Sequence, residues 1–398
     1  MRSWLGNTVK SLAASALLLA ISSQVCFAEV GVTDNEILIG TANALSGPSS
    51  YVGKEMNLGF QAYINYINER GGVNGRKIKM VSCDDRYETE GAISCFKTLN
   101  GDGVFGITGC YGAALINKYI PMAMLAKMPL VGFSSGPKFA ADPVKRYVFT
   151  IRPDFIEEEE QVVNKLWNEG GFRRFAVVYQ NDAYGNNILI GVQNSLKKNN
   201  AEVVAAGSYV RNSSNLKQAF DQVKAAAPEV VILGAVQVPC TEIVKMAHAA
   251  NWHPIFVLNS GSAVDQFVEL AGADAEGALV TEVAPEYVHS ELPAIEKYNE
   301  LLKKYFPSEK PNLTSLRGYN NAMLWVEGLK RAGRDLTREK FVEALDGMKN
   351  WDQGMGKDMD VSFSPTNHVG RSNLFYLTVK HGEVVTFKDW KGLKSALK

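Results

Sequence analysis

Ile37-Leu-Ile-Gly-Thr-Ala42 opens a stretch that continues through Gly53–Glu69 to Lys77–Ser82. The first segment is a short apolar run ending in turn residues and reads as a strand. In the second, Met56, Phe60, Tyr63, Ile64 and Ile67 recur at helical spacing, one apolar face of a helix. The third reads as another strand. A strand, a helix and a strand in that order make a crossover unit, which pairs its strands in parallel.

The alternation goes on along the chain. Val104–Thr108 and Leu130–Phe133 read as strands, and Thr89–Leu99 and Ala113–Leu125 as helices. It restarts after Pro153, with helices at Glu157–Trp167, Tyr184–Leu196, Leu216–Ala225 and Cys240–Ala249. Strands at Phe175–Tyr179, Glu202–Tyr209 and Val230–Leu233 lie between them. Two successive sets predict an α/β protein of two lobes, each a parallel sheet covered on both faces. The last third departs from the pattern. Leu292–Tyr305, Thr314–Arg331 and Arg338–Leu345 are helix-like, and Asn373–Val379 with Glu383–Phe387 form a hairpin around His381-Gly382. Helices without strands of their own must pack on sheets already built, so the chain is expected to cross between lobes more than once.

Residues 1–28 combine Arg2 and Lys10, the apolar run Ser11–Ile21, and small residues ending at Ala28. That is the pattern of a secretory signal peptide, too short for a transmembrane anchor. The protein is thus expected in the periplasm, cut near Ala28, water-soluble and monomeric. Without those 28 of 398 residues, 370 remain, enough for two domains. The leader removes two basic residues from a balance of 42 basic and 42 acidic. Nothing in that balance favours nucleic acid or an anionic membrane surface.

Four cysteines remain: Cys83, Cys95, Cys110 and Cys240. In an oxidising compartment one disulfide is plausible. Cys83 ends a strand, and Cys95 shares a helix face with Ala92, Phe96 and Leu99, which favours Cys83–Cys95. Cys83–Cys110 is the alternative, because spacing does not fix connectivity. No C-x-x-C or H-x-x-x-H pair exists, so no metal site is expected.

Gly132-Phe-Ser-Ser-Gly136 matches the G-x-S-x-G elbow of serine hydrolases. That elbow must launch into a helix, and Pro137 and Pro143 leave no room for a long one. The glycine pattern of dinucleotide binding is absent after the first strand, and there is no phosphate-binding loop. The acidic run Glu157–Glu160 beside Asp154 sits at a helix start, where it complements the dipole. No cofactor is expected, and a binder is favoured over an enzyme.

In parallel sheets, ligands sit beyond the carboxyl ends of the strands. The loops there are Ser46–Tyr51, Gly109–Gly112, Phe133–Gly136, Asp182–Gly185 and Val236–Thr241. They are rich in hydroxyls, tyrosines and helix N-termini, which suit a carboxylate and an apolar body. Tyr51, Tyr111 and Tyr184 are the candidate aromatics, and Gln237 lies in the last loop.

These features together resemble the type I periplasmic binding proteins of the branched-chain amino acid ABC importer family. The resemblance is carried by Leu45-Ser-Gly-Pro48, Gly59, Ala62, Ile67–Arg76 and Asp84-Asp85. Further along it is carried by Tyr179–Gly185, Thr281-Glu-Val-Ala-Pro285, Gly318-Tyr319 and Phe363–His368. It implies two Rossmann-like lobes joined by three crossovers that close over a small ligand. The lobes would be 29–150 with 283–358, and 151–282 with 359–398. The ligand's carboxylate contacts would fall at Cys110, Tyr111, Ser134 and Ser135. Tyr184 would be the second-lobe tyrosine and Tyr51 the aromatic of the first loop, and Glu282 joins the candidate set.

The departures from the pattern are informative. Amino-acid-binding members carry an acidic residue after the proline of the 236–241 loop, and here Cys240 stands in that place. A buried ammonium without a carboxylate partner is costly. Cys110 replaces a hydroxyl with a weaker hydrogen bonder. Arg317 takes a spot often acidic in relatives; it lies on the surface or faces the cleft, where it would favour an anion. The resemblance with these departures implies a small carboxylate, aromatic or short aliphatic, delivered to an ABC permease. The alternatives are a branched-chain amino acid, a sensor of the same fold and, last, an exported hydrolase using Ser134.

Overall fold

The computed structural model describes residues 29–396, so the expected signal peptide lies outside the described residues. The first sheet has five parallel strands in the order β2-β1-β3-β4-β5. They are β1 (Glu36–Asn43), β2 (Lys77–Asp84), β3 (Gly106–Thr108), β4 (Leu130–Val131) and β5 (Val148–Phe149). Between them run α1 (Ser50–Glu69), α2 (Thr89–Gly101), α3 (Ala113–Leu125) and the short α4 (Lys138–Ala141).

The second sheet has seven strands in the order β12-β11-β10-β9-β8-β6-β7. The parallel ones are β6 (Phe175–Gln180), β7 (Ala205–Tyr209), β8 (Val230–Gly234), β9 (Ile255–Leu258) and β10 (Leu279–Glu282). The hairpin of β11 (Phe375–Lys380) and β12 (Glu383–Thr386) joins antiparallel beside β10. The helices of this half are α5 (Phe155–Asn168), α6 (Ala183–Lys198), α7 (Lys217–Ala225), α8 (Gln237–Ala249) and α9 (Val264–Ala271). The α/β architecture in two lobes is therefore as the alternation predicts.

β5, β9 and β10 have no counterpart in the sequence reading. They are two to four residues long, too short for any periodicity to register.

The late helices α10 (Pro293–Tyr305), α11 (Leu313–Ala332) and α12 (Arg338–Asp346) have no strands of their own. α11 packs on α1, and its fully buried Trp325 donates to the Val131 carbonyl at 3.0 Å. Two glycines permit that crossing. A Cβ on Gly59 would stand 1.7 Å from the Ser315 carbonyl oxygen, and one on Gly318 2.1 Å from that of Met56. This backbone-to-backbone approach fixes α11 tightly and seats Arg317, next to Gly318, against the seam between the lobes.

Cys83 and Cys95 are disulfide-bonded, pinning β2 to α2, with Cα atoms 5.5 Å apart. Cys110 and Cys240 are free and buried. The alternative pairing with Cys110 is thereby excluded.

Candidate functional site

Three chain crossings meet between the sheets. The first follows β5, the second follows β10, and the third leads into β11. Thr150 of the first and Val369 of the third form a parallel bridge. The Thr150 amide donates to the His368 carbonyl at 3.0 Å, and the Gly370 amide to Thr150 at 2.7 Å. Arg371 donates from Nη2 to the Val283 carbonyl of the second crossing at 2.9 Å, so one guanidinium ties the third to the second.

The first-lobe wall is built at the ends of β3 and β4. The Ser134 amide donates to the Cys110 carbonyl at 2.9 Å, holding the two loops side by side. The Ser134 hydroxyl is buried and has no hydrogen-bond partner; Ser135 is buried beside it. Burial pushes the Cys110 thiol well above its ordinary pKa. Tyr111 stacks on Tyr87 with ring centroids 5.0 Å apart and donates across the seam to the Gly261 carbonyl at 2.8 Å. The amide nitrogen of Gln180 donates back across the seam to the Tyr87 hydroxyl at 3.1 Å.

The second-lobe wall centres on Asn259-Ser-Gly-Ser262, the loop after β9. Asp182 caps α6 by accepting from the Tyr184 amide at 2.9 Å. The Tyr184 hydroxyl bonds Asn259 Oδ1 at 2.7 Å, and the ring packs on Phe155. A Cβ on Gly261 would lie 2.6 Å from that ring, so only glycine lets the loop pass. Cys240 donates weakly to the Ala235 carbonyl at 3.3 Å, and burial pushes its thiol up to about 12. Gln237 opens α8 fully buried, with both amide atoms lacking partners.

Charge is concentrated where the crossings meet. Arg152 forms a buried ion pair with Glu158 at 2.9 Å and donates to Ser260 Oγ at 2.6 Å. Glu158 also accepts from the Ser260 amide at 2.8 Å and from the Thr281 hydroxyl. Arg317 bonds the Ser260 carbonyl and lies 3.7 Å from Glu282 Oε1, a looser pair. Burial pushes Glu282 up to about 7, with Arg317 opposing. Arg152, Arg317 and Arg371 line one cavity of about 20 Å³ with Ser134 and Asn320. That is room for about one water, so any larger solute needs the lobes to part first.

Several sequence expectations meet here. Tyr111, Ser134, Tyr184, Glu282 and Arg317 all lie along the seam between the lobes. Arg317 is buried and faces the cleft, which removes the surface alternative. Tyr51 does not join them. It lines a separate recess with Glu55, Asp265, Tyr287 and Asn312, because the first turn of α1 aims it towards α9 and away from the hinge. The acidic run is also corrected: Glu158 serves as the buried counter-ion of Arg152, beyond any dipole role.

Arg152, Glu158, Asn259, Ser260, Asn320 and Arg371 were missed. The loops of Arg152, Asn259 and Ser260 fell outside the strand-end list because β5 and β9 were unread; Arg371 sits on a crossing with no periodic pattern, and Glu158 and Asn320 sit within α5 and α11. The one available signal was the run of hydroxyl residues and glycine directly after Ile255–Leu258.

Among the described residues, no cluster of His, Cys, Asp or Glu is placed to hold a metal ion. No described helix is long and apolar enough to cross a membrane.

Two sheet-based lobes closing on a polar seam define a solute-binding architecture. A family model described as periplasmic binding protein matches residues 36–383, and the chain belongs to that family. Curated relatives of this chain are named Leu/Ile/Val-binding proteins. The Leu/Ile/Val-binding protein homolog 7 of Brucella melitensis is 22% identical, covering 93% of this chain and 95% of that one. A possible leucine/isoleucine/valine-binding protein from Rhodopirellula baltica superimposes with TM-score 0.85 at 23% identity, covering 90% of this chain and 97% of that one. A fatty acid ABC transporter substrate-binding protein from Thermomonospora curvata gives 0.82 at 22% identity, covering 91% and 94%. One fold thus spans relatives named for different solutes.

Proposed function

We propose that this protein is a periplasmic solute-binding protein that captures a small carboxylate between its lobes and delivers it to an ABC permease. The observation that carries this reading is the charge count at the cavity. Three buried guanidinium groups face it, and two carboxylates, Glu158 and Glu282, stand near them. A buried cation without an anion is costly, so an incoming carboxylate offsets that cost while an ammonium adds to it. Unpartnered groups on Ser134, Arg152, Arg317 and Arg371 support the same reading, since buried donors without acceptors disfavour the solute-free closed form. Closure then follows from differential affinity: a solute touching both lobes favours the form in which both contacts exist.

One observation favours a branched-chain amino acid instead. Glu282 Oε1 has no hydrogen-bond donor, so an ammonium could reach it. Thermal-shift measurements decide between the readings. Stabilisation by short aliphatic or aromatic acids supports the carboxylate. Stabilisation by leucine or valine, and by no simple acid, overturns it. Binding at 100-fold excess over Kd contributes about 2.7 kcal/mol, a shift easily read.

A further inference from the structure

We propose that the ligand is a short dicarboxylate whose second carboxylate is held by Arg371 on the third crossing. This rests on the carboxylate reading of the cleft and adds the number of acidic groups.

Arg371 differs from the other two arginines in its partners. Arg152 has Glu158 and Arg317 has Glu282, whereas Arg371 touches only neutral acceptors. These are Gln353 Oε1 at 2.7 Å and the carbonyls of Met359 and Val283 at 3.3 and 2.9 Å. Its Nε has no partner. Burial alone lowers its pKa, to about 10, so it stays charged at neutral pH. A fully buried cation with no carboxylate in contact is costly to keep.

The geometry adds a second, independent point. Unpartnered donors sit on all three guanidinium groups: Nη1 of Arg152, Nε of Arg317 and Nε of Arg371. They come from three separate elements, the first crossing, α11 and the third crossing, and surround one cavity. One carboxylate accepts up to about four hydrogen bonds, as Glu158 does from Arg152, Ser260 and Thr281, but brings a single negative charge to three guanidinium groups. Two carboxylates joined by a short chain give Arg371 an anion of its own while the other lies towards Ser134 and Arg317.

The charge balance agrees. With both acids ionised the cluster carries one surplus positive charge, and with Glu282 protonated it carries two. Glu282 ionises only near pH 7, so a dianion can bring the cluster to neutrality by binding with uptake of a proton. The Arg371–Val283 bond lies at the junction of the crossings, so the same contact ties ligand charge to lobe closure.

Calorimetric titration of the mature protein with sodium succinate, sodium butyrate, L-leucine and inorganic phosphate tests this. Succinate is expected to bind at least about tenfold more tightly than butyrate, its monoacid counterpart. Arg371→Gln should cost succinate at least about tenfold more affinity than it costs butyrate, so that the preference for succinate is lost. Arg371→Lys, which keeps the charge, should retain the preference for succinate. Should Arg371→Gln not fold, the wild-type succinate-to-butyrate ratio and the lysine variant still decide. Equal affinity for succinate and butyrate overturns the dicarboxylate, as does phosphate binding better than succinate. Leucine binding with no acid binding overturns the carboxylate reading itself, a different result from butyrate and succinate binding alike.

Discussion

Two hollows lie between the same two lobes, and they are opposites. The hinge cavity is about 20 Å³ and ringed by arginines, whereas the outer recess is about 760 Å³ and ringed by acids, Glu55, Asp265, Glu269, Glu309 and Glu383 among them. Volume alone would choose the recess. Hydrogen bonding favours the cavity. In the recess, Asp265 accepts from the Tyr287 hydroxyl at 2.7 Å and the Leu313 amide at 2.8 Å, and Glu55 from Asn312 at 2.7 Å. In the cavity, polar groups on Ser134, Arg152, Arg317, Asn320 and Arg371 have no partner. Unpartnered buried donors call for an acceptor, and this difference is what supports the cavity over the recess as the proposed binding site.

The largest expected effect is at the ion pair. Glu158→Ala leaves Arg152 buried without its anion and strands Ser260 and Thr281, and should cost about 3–5 kcal/mol in urea unfolding. A loss under 1 kcal/mol would mean that the cluster is not a sealed charge network.

Next comes pH. The folded-state pKa of Glu282, about 7, stands above its ordinary 4.5. Its contribution to stability is therefore fully present below pH 4.5 and is lost as pH rises through about 7. The groups acting on it are Arg317 of α11, Arg152 of the first crossing and Glu158 of α5. Thermal melts of wild type and Glu282→Gln from pH 4.5 to 8 should diverge by on the order of 2 kcal/mol. Parallel curves would remove Glu282 as a titrating group of the cavity.

Tyr111→Phe deletes the bond to Gly261 and should favour the open form by about 1 kcal/mol. Small-angle scattering would show a larger radius of gyration without ligand; an unchanged radius would show that this bond does not help hold the lobes shut. The smallest effect belongs to the recess. Glu383→Gln should change stability by less than about 0.5 kcal/mol and leave solute affinity as it was. Any loss of affinity there would erase the distinction between the two hollows.

The lobes were legible in the sequence because long amphipathic helices such as Gly53–Glu69 alternate with apolar strands, and burial on both faces needs that pattern. The first-lobe wall was legible too, since strand-end loops are where parallel sheets gather hydroxyls. The hinge was not. Arg152 and Arg371 sit on crossings 219 positions apart in numbering, with no local motif, and only the Thr150–Val369 bridge brings them together. Glu158 was hidden inside four consecutive acids, where only burial separates a counter-ion from a solvated neighbour. Tyr51 lies apart from the other candidates because a strand-end position says which loop a residue belongs to, not which way its helix turns it.

Hydrogen–deuterium exchange with and without the tightest binder from a panel of short carboxylates and branched-chain amino acids addresses the two hollows directly. Protection is expected at residues 150–154, 259–262, 317–321 and 369–373, with residues 308–312 and 382–384 unchanged. Protection confined to residues 308–312 and 382–384 would place the solute in the acidic recess and contradict the assignment of the arginine cavity as the binding site.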